Sequence, residues 1–418
     1  MMHHMSTPAA EPDLRTLRRT GIAVVVTCFI FNTFSRGIGD AYTVMVLPLE
    51  HEFGWTRAQL TGIYSVYLLV SGLMGPAAGW LFDRFGPRVV YAAGLGISGI
   101  ALIAASSLDR LWSLYLVIGF GIGTGVALLG MVPAAALLAR WYKRRLSTMI
   151  GLVFSAAGLG ALIIVPVTQY LVALDGWRGA YRTLGWCVLA VALLQLFAVP
   201  WRRFVVGDPR VGALHAADVG AVPWTVRKAM ETPIYWGLVR VFFFTAMGMY
   251  VVLVQVVSYL IDLGIAPLTA ASAFGVMGML SVASVMSSGF LADRLGLRRT
   301  AIISFIGTLV GIGLFLALSF RVTPVLLGAC VIVFGLFQGA RGPLVSSIAA
   351  SRFAGRGHAT VYGTILATNA IGAALGSYAA GVLHDLTGSY RASFVFAMVS
   401  LAFAARPFWG VRELKESR

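Results

Sequence analysis

Gly79-Trp80-Leu81-Phe82-Asp83-Arg84-Phe85-Gly86-Pro87-Arg88 returns 210 positions later as Gly289-Phe290-Leu291-Ala292-Asp293-Arg294-Leu295-Gly296-Leu297-Arg298. A repeat at that distance divides the 418-residue chain into two similar halves. Around both copies lie apolar runs of about 20 residues or more, the length that crosses ~30 Å of hydrocarbon. Bounded by charge, proline or glycine, these runs predict twelve spans: 20–47, 59–82, 88–107, 112–139, 147–173, 180–200, 233–261, 268–292, 300–319, 323–350, 358–384 and 391–409. Each copy of the repeat thus follows the second span of its half. The runs are continuous, unlike the alternating ~10-residue segments of a membrane β-barrel. In lipid only helices then satisfy every backbone group. The fold class expected is all-α integral membrane, twelve transmembrane helices in two pseudo-symmetric six-helix halves, 1–200 and 233–418. The linker between them, 201–232, is the longest polar stretch and holds Pro209, Pro223 and five basic residues.

Composition agrees. The chain is 59% hydrophobic and 11% charged, with mean hydropathy +0.86. A soluble domain carries roughly 25% charged residues, so a soluble enzyme is excluded, and so is disorder. Residues 1–11 lack an apolar core, so no cleaved secretory leader is expected. Cys28, Cys187 and Cys330 lie far apart inside apolar runs and give neither a disulfide framework nor a metal site. Gly94-Leu95-Gly96-Ile97-Ser98-Gly99 matches a dinucleotide fingerprint but sits inside a span, without the strand that motif requires. No nucleophile–base pair or phosphate-binding loop is visible, so no catalysis and no cofactor are expected. Glycine instead reads as helix-packing surface, as at Gly372 and Gly376.

The basic residues orient the chain. With the N-terminus, the even-numbered loops and the C-terminus on one side, that side receives 23 of the 32 Lys and Arg, and the other side six. The positive-inside rule then predicts both termini in the cytoplasm. The net charge of +16 is a topological signal with attraction to anionic lipid, not a nucleic-acid surface.

The doubled G-x-L-x-D-R-x-G-x-R loop resembles the signature loop of the major facilitator superfamily. A narrower resemblance, to the monocarboxylate transporter family and its bacterial oxalate/formate-antiporter relatives, rests on three stretches. They are Arg140-Trp141-Tyr142-Lys143-Arg144-Arg145 with Gly151, Gly158, Gly160, Pro166 and Gly176-Trp177-Arg178; Phe53-Gly54-Trp55-Thr56-Arg57; and Gly381-Val382-Leu383-His384-Asp385-Leu386-Thr387-Gly388-Ser389-Tyr390. The resemblance implies a multi-pass carrier in a bacterial inner membrane, monomeric, with spans 1, 4, 7 and 10 around a central cavity. One departure stands out: span 8, residues 270–291, carries no charge, where that family places an aspartate/arginine pair.

Asp83 and Asp293 close spans 2 and 8, where a carboxylate pairs with arginine or caps a neighbouring helix. With Arg84, Arg88, Arg294 and Arg298 they read as a gate at the cytoplasmic helix ends, and the glycines permit a tight turn. Apart from residues at the span flanks, only Arg36, Arg240, Arg341 and Asp40 are charged inside spans. An intramembrane arginine costs about 2.5–3.5 kcal/mol, so each needs a partner or water. All three arginines fall in the set of spans expected to line the cavity. At 1.5 Å per residue Arg36 lies ~24 Å into span 1, Arg341 ~14 Å from the end of span 10, and Arg240 ~10 Å into span 7. The expected order as anion ligands is therefore Arg341, Arg36, Arg240, with Gln338 and Asn369 completing the site. Asn32, Tyr64, Tyr67, Tyr250 and Gln255 are further polar candidates, equally readable as interhelical hydrogen bonds.

Arg36 and Asp40 are four apart on one helix face, which reads either as a static ion pair or as a proton-coupling pair. In the second version the substrate carboxylate competes for Arg36 and Asp40 takes a proton. The functional expectation is a secondary carrier of small monocarboxylates or related organic anions, by proton symport or anion exchange. The alternatives are an exporter of amphipathic molecules and a non-transporting sensor; the ~32-residue linker is too short for an output domain.

Overall fold

The computed structural model describes residues 14–55, 57–143, 145–209, 224–355, 357–411 and 414. The middle of the linker, 210–223, and the basic residues Arg144, Arg356, Arg412, Lys415 and Arg418 lie outside them. Among the described residues every regular element is helical. Ten helices are long and apolar enough to cross a membrane. Two of them are interrupted by glycines in the left-handed region: Gly86 (φ 77, ψ 175) within Gly75–Ala105 and Gly176 (φ 68, ψ 176) within Leu146–Ala198. An L-residue with a side chain resists those angles, so both helices turn there. Leu146–Ala198 thereby becomes spans 5 and 6. The first part of Gly75–Ala105 completes span 2 with Arg57–Leu73, and the rest is span 3. Among the described residues this division gives twelve rods, consistent with the hydropathy pattern.

The repeat survives as geometry. Gly296, 210 positions after Gly86, also has positive φ (90) and joins span 8 to span 9. A second correspondence at the same offset concerns breaks. Span 4 is interrupted at Gly130 and resumes at Met131; span 10 is interrupted at Gly339 and Ala340 and resumes at Arg341. Pro133 and Pro343 follow each break at the same distance. Proline lacks the N–H that would reach back one turn and its ring crowds that carbonyl, so both helices part just before it. Span 1 is broken as well, between Leu14–Asp40 and Tyr42–Phe53, where the Thr43 hydroxyl donates to the Asp40 carbonyl at 2.7 Å. A side chain in the ladder accounts for the break.

Two seams join the halves. Span 2 lies on span 11, where a Cβ on Gly75 would stand 2.9 Å from the Gly363 carbonyl. Span 5 lies on span 8, where a Cβ on Gly151 would stand 2.8 Å from the Val285 carbonyl. Backbone approach this close requires residues without side chains and leaves smooth faces that can slide or part.

Candidate functional site

At the end of the bundle rich in arginine the two repeat aspartates act across the seams. The Asp83 carboxylate accepts from the Thr360 N–H at 3.0 Å and from its hydroxyl at 2.8 Å. Asp293 accepts from the Thr148 N–H at 2.9 Å and from its hydroxyl at 2.5 Å. Thr360 and Thr148 each stand at the third residue of their helices, His358–Thr387 and Leu146–Ala198. That N–H is the one an N-cap side chain normally takes. Their own N-cap residues, Gly357 and Arg145, make no side-chain cap. Each half therefore caps, and places a negative charge at, a helix start in the other half. Arg84 lies over Trp80 and Phe85 at 5.3 and 5.5 Å, Arg294 lies over Phe290 at 4.1 Å, Arg88 is exposed and Arg298 half-buried. Arg140, over the Phe82 ring at 5.0 Å, is the cation that faces Asp83. At the opposite end Glu52 accepts from the Trp177 ring N–H at 2.5 Å and from Arg178, which also reaches Asp109 at 2.5 Å. The Trp177 bond first, then Arg178, hold the Glu52 carboxyl below its usual range.

Between the ends lies a cavity of about 550 Å³, lined from spans 1, 2, 4, 5, 7 and 11. Arg36 and Asn369 line it, with Asn32, Tyr67 and Tyr250. Arg36 spends only one edge on the protein. Its Nε donates to Asp40 Oδ2 at 2.8 Å, and Tyr64 donates to the other carboxylate oxygen at 2.7 Å. Among the described residues nothing accepts from the two Nη groups, and 45% of the Arg36 side chain is exposed against 12% for Asp40. Two parallel N–H groups are thus open to the cavity in the fork that fits a carboxylate. An anion on that edge need not displace Asp40, so the competition expected between them is not required by the geometry. The break at Ala41 leaves Asp40 as the last residue of Leu14–Asp40, held against Arg36, which lines the cavity.

The structure does not bring Arg341 into this cavity. Arg341 is 2% exposed and donates to Thr308 Oγ1 (2.9 Å), Ser304 Oγ (3.2 Å) and the Gln338 carbonyl (3.0 Å), over the Phe305 ring at 5.1 Å. The Gln338 carbonyl is one of those orphaned by the break in span 10, and the guanidinium satisfies it while tying the half-helix to span 9. Depth along a continuous helix, which ranked Arg341 first, gives no azimuth and takes no account of a break. Gln338 turns away too, donating to the Met277 carbonyl at 3.3 Å, so it does not meet Asn369. Arg240 is exposed and outside the cavity lining, and Gln255 donates to the Ala380 carbonyl at 2.5 Å. Span 10 therefore contributes nothing to the lining, whereas spans 2, 5 and 11, outside the expected set of 1, 4, 7 and 10, all contribute to it. Arg341→Gln is expected to leave the KM for a transported anion within about twofold; a loss like that expected of Arg36 variants would return Arg341 to the site.

Comparison with known proteins agrees with this architecture. A family model described as "Major Facilitator Superfamily" matches residues 25–294 and 241–417. Monocarboxylate transporter 13 of Bos taurus is 28% identical over 383 residues, 90% of this chain and 86% of that protein. Monocarboxylate transporter 11 of Homo sapiens is 26% identical over 408 residues, 93% of this chain and 82% of that protein. Among solved structures, the proton:xylose symporter XylE superposes with a TM-score of 0.74 at 14% identity, covering 94% of this chain and 96% of that one. FucP in its outward conformation gives 0.68 at 15% identity, covering 93% and 98%. At such identities the superpositions speak for the fold alone.

Proposed function

Since the chain belongs to the major facilitator superfamily, we propose that it is a secondary carrier of small monocarboxylates or related organic anions, driven by protons or by exchange. The observation that carries the reading is Arg36, whose Nη edge faces the cavity while Nε is held by Asp40. The names of its relatives point the same way: those quoted above are monocarboxylate transporters. The basic end is the cytoplasmic one in this reading, with both termini there, in a plasma membrane of bacterial inner-membrane type. The halves are the two six-helix units, 1–200 and 233–418, that rock about the site. A monomer suffices, because the cavity is complete within one chain. The repeat aspartates and Arg140 act as the gate at the basic end.

Charge arithmetic suggests the coupling. Empty, the Arg36–Asp40 pair is neutral. A bound carboxylate makes the site negative, and a proton on Asp40 restores neutrality, so anion binding and protonation favour each other. Both the empty and the doubly loaded carrier cross without net charge, and uptake should then be insensitive to membrane potential. Asp40→Asn follows from the same arithmetic. Loaded with anion that variant is neutral and exchanges; empty it carries an unpaired Arg36 and returns slowly. Counterflow should persist while net uptake driven by a pH gradient disappears. Continued accumulation against the gradient by the variant would end the proton role of Asp40. A purely static pair makes a different forecast, a loss of folded protein in Asp40→Asn.

The amphipathic exporter is less well supported, because the cavity presents an arginine edge rather than an exposed acid. Uptake of radiolabelled monocarboxylates into proteoliposomes under an imposed pH gradient, with internal pH followed in parallel, tests the function. Proton movement matched to the anion supports symport, anion movement without protons supports exchange, and the absence of any anion movement refutes the reading.

A further inference from the structure

We propose that the C-terminal half recognises the far end of the substrate through Asn369 and Tyr250, so that the preferred substrates are monocarboxylates bearing a distal hydroxyl, carbonyl or amide. The inference rests on the reading that Arg36 takes the carboxylate, and it adds a second contact on the other half. The support is an inventory of hydrogen-bonding capacity around the cavity. Most polar side chains there are already spent on backbone carbonyls: Ser35 on Val126, Ser71 on Leu68, Ser377 on Ala373 and Asn32 on Cys28. Among the described residues, three lining groups make no such bond: the Asn369 amide, the Tyr250 hydroxyl and the Tyr67 hydroxyl of span 2.

Their placement matters as much as their freedom. Asn369 lies on the face of span 11 that also presents Leu366, Ala373 and Ala374, so a polar amide stands among apolar neighbours. Tyr250 comes from span 7. The cationic edge and the Tyr67 hydroxyl belong to the N-terminal half, and Asn369 and Tyr250 to the C-terminal half. A ligand that engages both ties the halves through itself, and differential contact of this kind is what shifts a conformational equilibrium. Size points the same way. A three-carbon acid occupies on the order of 100 Å³, judged against ~30 Å³ per water. The cavity is about 550 Å³, which leaves room for a longer apolar body with a polar end. An acid lacking that end would place apolar carbon against an unpaired amide and hydroxyl, which discriminates against it.

The test uses purified full-length protein in proteoliposomes with four probes: butanoate, 4-hydroxybutanoate, hexanoate and 6-hydroxyhexanoate. For at least one pair the hydroxylated acid should show a KM about tenfold lower, the size of one well-placed hydrogen bond with its unpaired alternative. Combining Asn369→Leu with Tyr250→Phe should bring that ratio to about one, and Asn369→Gln, which keeps an amide, should retain part of it. A wild-type ratio near one for both pairs, or a ratio that survives the double variant, overturns the second contact. Arg36→Gln separates the two levels. If that variant transports all four acids, the carboxylate reading itself fails; if it transports none while the wild-type ratios are flat, only the distal contact fails.

Discussion

Arg36→Gln is expected to lower carboxylate uptake at least about 100-fold. Two charge-assisted hydrogen bonds of roughly 1.5–3 kcal/mol each are lost from the bound anion, and a neutral amide replaces the only cation lining the cavity among the described residues. Arg36→Lys should recover only part, since an ammonium keeps the charge and loses the fork. The single Gln variant leaves Asp40 without its partner, and an unpaired buried charge destabilises. The combined variant Arg36→Gln, Asp40→Asn removes that objection: both groups are neutral and can still hydrogen-bond. It should insert and elute as the wild type does, yet fail to transport. Wild-type-like uptake by the double variant would remove the pair from the site.

The second large effect concerns the crossed caps. Replacing both aspartates, Asp83→Ala with Asp293→Ala, removes two side-chain caps and two charges from helix starts in the opposite half. At about 1–2 kcal/mol per cap, the state with a closed basic end loses roughly 2–4 kcal/mol, a population shift of about 30- to 1000-fold. Spin labels or cysteines across that end, on spans 2 and 11, should report an open basic end in the variant and a closed one in the wild type. The contacts to substrate themselves are unchanged, because neither residue lines the cavity, so any change in KM comes from the shifted population alone. Unchanged distances in the double variant would reduce the crossed caps to local helix decoration. The Asn versions should fall between, since an amide oxygen still accepts the N–H and only the charge is gone.

The sequence makes the spans legible because lipid allows one solution to the backbone problem and the apolar runs are long. The doubled loop is legible because its offset matches the span count. Its partners are not: Asp83 and Thr360 are separated by 277 positions, and no local pattern announces which helix start lacks a cap. Arg36 and Asp40 are readable as a pair because four residues make one helical turn. Arg341 misleads for a reason the sequence also holds. Pro343 repeats Pro133 at the offset of the loops, and that coincidence signals a break in span 10 that changes what the arginine faces. Asn369 belongs to the cavity as expected of a polar residue in span 11, whereas Gln338 satisfies a backbone carbonyl, a choice that hydropathy does not encode.

The most direct test of the Arg36-centred carrier is counterflow with purified protein in proteoliposomes, each preloaded with one unlabelled compound and given a trace of its labelled form outside. Monocarboxylates, matched dicarboxylates and a cationic dye make up the panel, with the Arg36→Gln, Asp40→Asn variant run beside the wild type. The account predicts transient accumulation of monocarboxylates by the wild type, none by the variant, and little with dicarboxylates, which bring a second charge to a single cation. Accumulation of the dye alone, or monocarboxylate counterflow of equal size in the variant, would contradict it.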